Sequence, residues 1–385
     1  MSFKENWRQS EIGKEIELSY GKGLTKRDRK EGDYPVYGSN GITDYHDDYL
    51  IEAPGIIVGR KGTIGKVEFT NKNFWPIDTT YYVNLLNEKN HFKFWYYFLE
   101  SFPLEEMNSH SAVPGLNREQ VYKLKCFVPP LREQKEISKI LSSLDEKIEN
   151  NKKINKNLEE MAQAIYKSWF IDFEPFQDGE FIESELGMIP NGWEVVPFEN
   201  LFEFQKGKTP KDKSKEKKDG YLKYLTISVL SGKKTVYGEP TEKNTLVNEN
   251  DVVMVMDGSR SGKIFFGTSG IVASTLAKLN IINDKISNGF IYLLAKYYEK
   301  EFMKNTTGSA VPHADKKYIL NKKIAIPKDK NLLNDFNKSI NDIRAKISLN
   351  RQENQTLKEL RDSLLPKLMS GEIRVPLEDE AKEVN

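Results

Sequence analysis

Residues 110–120 read HSAVPGLNREQ, and residues 308–318 read GSAVPHADKKY. A tetrapeptide shared between Ser111 and Ser309 could be chance in a chain of 385 residues, so the flanks decide whether it means anything. They keep step. Val128-Pro129 fall on Ile326-Pro327 at the spacing set by the two serines. One residue further out of register, Ile137 meets Phe336, Leu141 meets Ile340, Leu144 meets Ile343 and Ile148 meets Ile347. Asn151 then meets Asn350, Asn155 meets Asn354, Leu158 meets Leu357 and Ile165 meets Leu364. Upstream, FWYYFLE (94–100) lies over FIYLLAK (290–296), and KGTIGK (61–66) over DGSRSGK (257–263) with one residue inserted. GKGLTK (21–26) lies over QKGKTP (205–210), after which the second copy carries extra residues. The chain is a tandem duplication of a unit about half its length.

Each copy has two parts. The first mixes short β-like runs (GIIVGR, KVEF and TTYYVNLL; then DVVMVMDG, KIFFG and TLAKLNII) with glycine-bearing turns and one aromatic helix. The second part, from Pro130 or Pro327 onward, is a long helical pattern with few breakers. Between the copies, EPFQDGEFIESELGMIPNGW (174–193) is rich in Pro, Gly and acidic residues and reads as a linker.

Positions 137, 141, 144, 148, 151, 155, 158, 162, 165 and 169 alternate steps of four and three, which is a coiled-coil seam. Polar residues sit in mid-seam, Asn151 and Asn155 in the first helix and Asn350 and Asn354 in the second. Buried Asn at such positions fixes register at some loss of stability. A globular part separates the end of one helix from the start of the other, so those ends are expected to be close and the helices antiparallel. Asn151 would then face Asn354, and Asn155 would face Asn350. The rod would span roughly 50 Å at ~1.5 Å per residue. The predicted class is α+β: two tandem mixed α/β domains separated by two long antiparallel coiled-coil helices, in a circular arrangement with an approximate two-fold axis.

Composition excludes several classes. With 38% apolar and 30% charged residues the chain is an ordinary globular protein of two-domain size, not a disordered one. Fifty-eight Lys and Arg against 57 Asp and Glu leave a net charge of +1, so any basic surface must be local. Cys126 is alone, which removes an intrachain disulfide and a Cys-based metal cage. The start MSFKENWRQS has no apolar signal core and no run is long enough to cross a membrane, so a cytoplasmic protein is expected. GSRSGK (258–263) lacks one spacer of a phosphate loop and has Ile264 where a hydroxyl is needed. It and GTIGK read as hairpin turns. His46, His91, His110 and His313 are scattered without metal-ligand spacing. No G-x-S-x-G elbow and no Gly-rich S-adenosylmethionine loop is present. Neither a catalytic residue nor a metal site is predicted. The chain is expected to bind, not to catalyse.

Basic and small polar residues concentrate in the turns. In the first copy they are Lys22, Lys26 and Arg27, followed by Arg29 and Lys30, then Arg60, Lys61 and Thr63, with His110 beside the shared tetrapeptide. In the second they are Lys206, Lys208 and Lys211, then Ser259, Arg260, Ser261 and Lys263, with His313. A basic side chain on a glycine-bearing hairpin can enter a DNA groove, because Gly allows close backbone approach and Arg pairs bidentately with guanine. Lys-rich loops supply phosphate contacts. The bland alternative for the 206–218 run is a solvated loop, since Asp212, Glu216 and Asp219 interrupt it. Arg60 and Arg260 are stronger candidates, the duplicated hairpin carrying a basic residue in both copies. FWYYF and FIYLL read as core-facing helix.

At several places the residues resemble one family. Val128-Pro129-Pro130-Leu131-Arg132-Glu133-Gln134 leads into the first long helix, and AIYKSWF (164–170) ends it. LGMIPNGW (186–193) opens the second half, and LLPKLMSG (364–371) closes it. Together these resemble the DNA-specificity subunit of type I restriction–modification systems over nearly the whole chain. The resemblance implies target-recognition domains at 1–130 and 193–328, each reading half of a bipartite asymmetric site. It implies spacer helices at 131–173 and 329–370, a linker at 174–192 and a tail at 371–385. It further implies double-stranded DNA and two modification (methyltransferase) subunits as partners, with two restriction subunits as optional further members. S-adenosylmethionine, ATP and Mg would belong to those partners, and this chain would bind no cofactor. In the second copy Pro327-Lys328-Asp329-Lys330 replaces the first copy's Pro-Pro-Leu-Arg-Glu-Gln, so its helix start is expected to be looser. The alternatives are a coiled-coil adaptor that ignores DNA sequence, or an enzyme with an unfamiliar site.

Overall fold

In a computed structural model that describes residues 6–107, 115–308 and 310–376, the duplication becomes two units. One comprises the residues up to Asn150 together with those from Glu353 onward, and the other is Asn151–Gln352. Each long helix, Leu131–Phe170 and Lys330–Ser370, is therefore divided between the two.

The first unit is built on an antiparallel four-stranded sheet in the order Ile16–Tyr20, Thr80–Leu85, Gly55–Gly59 and Val67–Thr70. Ile16 and Leu18 alternate inward, as period-2 burial requires, while all five residues of Gly55–Gly59 are buried. The helix Phe92–Glu100 buries Phe94, Trp95, Tyr97, Phe98 and Leu99. Its aromatics are core, as read from sequence. Arg8–Glu11 pairs antiparallel with Lys125–Val128, the strand that feeds the first long helix.

The second unit repeats this plan. Its main sheet runs Phe202–Lys206, Leu276–Ile281, Val253–Val255 and Ile264–Phe265, and Trp193–Pro197 pairs with Lys323–Pro327. The extra residues of the second copy fall in the side sheet. Three strands in the first unit (Tyr34–Gly38, Gly41–His46, Trp75–Pro76) become five in the second, where Leu222–Leu225, Tyr237–Gly238 and Gly270–Val272 repeat the same pairing and Lys213–Ser214 and Leu246–Val247 are added at the two edges.

Within each unit the helix segments pair antiparallel. In the first, Ile137 and Leu141 share a core with Leu365, Leu368 and Met369, and Arg361 reaches Asp145 at 2.7 Å. In the second, Trp169 and Phe170 meet Phe336, while Asn350 donates Nδ2–H to Asn155 Oδ1 at 2.9 Å. That pairing is the one the seam predicts for Asn155 and Asn350. Asn151 is buried and Asn354 half-buried. The helix starts differ in their contacts. Gln134 is buried and clamps the first one: Nε2 donates to the Pro129 and Lys89 carbonyls, and Oε1 accepts from His91 N. The second start has the exposed Lys330–Asp284 pair and an Asp329 carboxylate accepting from Asn331 N.

Asn350 is 2% exposed. Leu at position 350 alone is expected to destabilise the protein by about 1–2 kcal/mol, because it strips Asn155 of a buried partner. Leu at both 155 and 350 should recover that loss or exceed it, with poorer register control. Denaturant unfolding of the three proteins tests the idea, and equal midpoints for the single and double variants would refute it.

Candidate nucleic-acid interface

Both units build the same turn after the third strand of the main sheet, which is the inner edge of the duplicated hairpin. Gly59 N donates to the Lys66 carbonyl and Gly65 N to the Gly59 carbonyl; Val255 N donates to the Lys263 carbonyl and Gly262 N to the Val255 carbonyl. Gly65 (φ 73°) and Gly262 (φ 90°) are left-handed. A Cβ at Gly65 would stand 2.3 Å from Glu105 N, and one at Gly262 2.7 Å from the Phe302 carbonyl carbon. Only glycine fits at either place. The turn is seated on the rest of the unit by two backbone bonds, from Arg60 N and Lys61 N to Thr79 O, and from Met256 N and Asp257 N to Thr275 O.

The shared SAVP now has a partial account. Residues 108–114 and Ser309 lie outside the described set, so His110 and Ser111 do too. The flanking residues sit against the turn in both copies, with Lys61 bridging Gly115 and Asp257 bridging His313. In the second copy Gly258 N donates to the Pro312 carbonyl at 2.8 Å, and the Ser261 hydroxyl lies 2.9 Å from the same oxygen and 2.7 Å from the Gly258 carbonyl. In the second copy Pro312 and His313 thus close over the hairpin turn.

These bonds bear out the pairing of Lys61 with Asp257 and correct that of Lys22 with Lys206. Arg60 and Lys61 correspond to Met256 and Asp257, because each pair bonds the equivalent threonine; Arg260 lies further along the turn, where the extra residue is. Likewise Gly21 N bonds Thr80 O as Gly207 N bonds Leu276 O, which makes Tyr20, and not Lys22, the counterpart of Lys206. Pairing each with its neighbouring strand agrees: Tyr20 opposes Tyr81, and Lys206 opposes Ala277.

The side chains around the turn differ accordingly. In the first unit the Arg60 guanidinium lies 4.8 Å from the centroid of the Tyr20 ring and 5.8 Å from that of Tyr81, and Arg118 lies 4.8 Å from Tyr20. Tyr20 is half exposed. Burial, then the neighbouring Tyr20, pushes the Tyr81 hydroxyl up to about 12, and that hydroxyl donates to the Leu116 carbonyl at 3.1 Å. Arg118 also bonds the Leu18 carbonyl and lies 3.5 Å from Glu119. Among the described residues Arg60 has no carboxylate partner. In the second unit Asp257 accepts from or pairs with His313 Nδ1 at 2.8 Å and lies 3.6 Å from Lys206.

The other candidates divide. Lys26, Arg27, Lys61, Thr63, Lys208, Lys211 and Ser259 are exposed on loops. Lys22 is exposed with its ammonium 5.8 Å from the Trp75 ring, and Lys263 is half-buried near Phe265. Arg260 is exposed and donates to the Ser231 hydroxyl at 3.2 Å. Ser261 is 2% exposed and spends its hydroxyl on the turn's own carbonyls, so it holds the turn and does not present itself outward. Arg29, grouped with the basic loop by sequence, is instead tied to Asp44 and the Leu24 carbonyl. Sequence reading missed Tyr20, Arg118 and Asp257. The alternation of the strand IELSY (16–20) is not itself a signal of function, and an acidic residue was not sought on a turn read as basic. Among the described residues no group of His, Cys, Asp and Glu could hold a metal ion, and no helix is long and apolar enough to cross a membrane.

A family model described as type I restriction modification DNA specificity domain matches residues 4–160 and 190–359. The MjaIX type I restriction enzyme specificity subunit of Methanocaldococcus jannaschii is 32% identical over 292 residues, covering 71% of this chain and 66% of its own length. The HindI specificity subunit of Haemophilus influenzae is 23% identical over 352 residues, covering 71% and 74%. The MjaVIII specificity subunit of M. jannaschii is matched over only 45% of its length, so this chain spans less than two thirds of some of its relatives. In fold it is similar to the crystal structure of a type I restriction-modification system S subunit from M. genitalium, with a TM-score of 0.59 at 20% identity over 94% of this chain and 96% of that one. With both copies matched, and with the duplicated architecture that the resemblance implied, the chain belongs to the family of type I restriction modification DNA specificity domains.

Proposed function

We propose that this chain is the sequence-reading, non-catalytic subunit of a type I restriction–modification assembly. Each unit reads one half of a bipartite duplex site, and the paired long helices set the spacing between halves and dock two modification subunits, which restriction subunits join. The exposed lysines and Arg27 supply phosphate contacts, and the duplicated turn presents the base-reading groups. S-adenosylmethionine, ATP and Mg belong to the partner subunits. The observation that carries this reading is the family match to both copies, 4–160 and 190–359, each of which seats the same glycine-bearing turn on its sheet.

Deleting the gene in its host should abolish adenine methylation at one split, asymmetric motif and leave all other methylation in place. Single-molecule sequencing of wild-type and deletion genomes measures this. Identical methylation in the two strains, with the modification genes expressed, would rule the reading out. Binding should also weaken steeply with salt, as phosphate contacts release counterions.

A further inference from the structure

The duplicated turn keeps its frame and changes its chemistry. Both copies retain the left-handed glycines, the paired backbone bonds to Thr79 or Thr275, and the bridge to the segment after SAVP. At the bridge, however, Arg60-Lys61 stands where the second copy has Met256-Asp257. A residue needed to hold the turn would have to do the same job in both copies. Lys61 and Asp257 instead carry opposite charge at one position, and Arg60 has an uncharged counterpart in Met256, so these side chains face something different in each unit.

Each set is prepared for an external partner. Arg60 has no carboxylate partner among the described residues, and stacking on Tyr20 holds its planar fork with little freedom left to lose. A carboxylate beside a duplex would ordinarily be repelled by phosphate. Asp257 is flanked by Lys206 at 3.6 Å and His313 at 2.8 Å, so its charge is offset locally while the side chain stays partly exposed.

We propose that two adjoining positions of this turn carry the base-reading side chains, Arg60 at the first position in one unit and Asp257 at the second in the other, and that the units read opposite hydrogen-bonding polarity. In the first, the Arg60 fork donates to a guanine edge; in the second, Asp257 accepts from the amino group of a cytosine. This rests on the reading of the chain as a DNA specificity subunit.

The assembly retrieved from the host by a tag on this chain is incubated with duplexes of random sequence, and the retained duplexes are sequenced. Wild type should enrich a split motif with a fixed G·C pair at one position of each half. Arg60→Lys keeps the charge but loses the fork, and should lower the guanine preference about tenfold or more at one position of one half only. Tyr20→Leu, which removes the platform and leaves Arg60 in place, should weaken that same preference severalfold. Asp257→Asn should turn the cytosine in the other half into adenine, since an amide both donates and accepts on the adenine edge. Variants that keep the wild-type motif, whether at full or uniformly reduced affinity, would overturn the inference while leaving the specificity-subunit reading standing. A wild-type assembly that enriches no motif would overturn that reading itself.

Discussion

Phe336→Ala is expected to destabilise the second unit by about 3–5 kcal/mol. Phe336 is fully buried near the start of the second long helix. Its ring centroid lies 4.8 Å from that of Phe170, 5.7 Å from Trp169, 6.1 Å from Phe290 and 6.5 Å from Tyr166. Truncation removes the transfer free energy of a whole aromatic ring and leaves a cavity walled by rigid rings that cannot close on it. Leu at the same position refills part of that volume and should lose much less. Urea unfolding followed by fluorescence reads the difference, because Trp169 and Trp193 lie in the same core. Equal stability of the Ala variant and wild type would mean that this aromatic cluster does not hold the helix pair to its sheet.

Glu15→Gln should destabilise the first unit by about 3 kcal/mol at neutral pH and flatten its acid sensitivity. Glu15 is 1% exposed. Burial alone would raise its pKa, but hydrogen bonds from Arg8, Ser10 and Asn90 outweigh it and hold the carboxyl at about 2 against an ordinary 4.5. The Asn90 Nδ2 bond is 2.9 Å long. Because the folded pKa is the lower one, the stabilisation is complete above about 4.5 and drains away as pH falls toward 2. The wild-type midpoint should therefore drop over that window by more than that of the Gln variant, which has no proton to take up. Unfolding titrations of both proteins from pH 7 to the acid limit of each measure it. Parallel curves would show that the buried carboxylate is not what acid attacks.

Some residues behave as their spacing demanded. The four–three alternation put Ile137, Leu141, Ile340 and Ile347 inside, and the mid-seam polar pair Asn155–Asn350 does meet. Tyr166 and Phe170 lie off that seam and are nonetheless fully or almost fully buried. A helix period describes one face. It does not see the helix Asn288–Tyr297, whose Phe290 covers a second face through ring contacts with both. Tyr166 also keeps its hydroxyl buried without a hydrogen-bond partner among the described residues, a feature no pattern of apolar spacing would suggest.

The turns were harder to read. Lys22 and Lys206 look equivalent in the string, yet the strand ladders pair Lys206 with the place of Tyr20; the hairpin's basic residues Arg60 and Arg260 stand at different places, Met256 being at that of Arg60. The slip between Lys22 and Lys206 is two residues, which puts Lys22 beyond the end of its strand (Ile16–Tyr20) while Lys206 is the last residue of its own (Phe202–Lys206). Ser261 shows the same limit: a small polar residue between glycines looks available, and its neighbours' carbonyls take it.

The amino-acid string by itself determined the duplication, the long paired helices with their polar mid-seam, the absence of a familiar catalytic motif and the family. All of these are periodic or repeated, so they survive in one dimension. Tertiary structure alone decided which side chains share the duplicated turn: Arg60 laid on Tyr20 beside Arg118 in one unit, Asp257 between Lys206 and His313 in the other. Those groups come from separate strands and loops, and strand register, set by backbone hydrogen bonds between distant segments, is what brings them together.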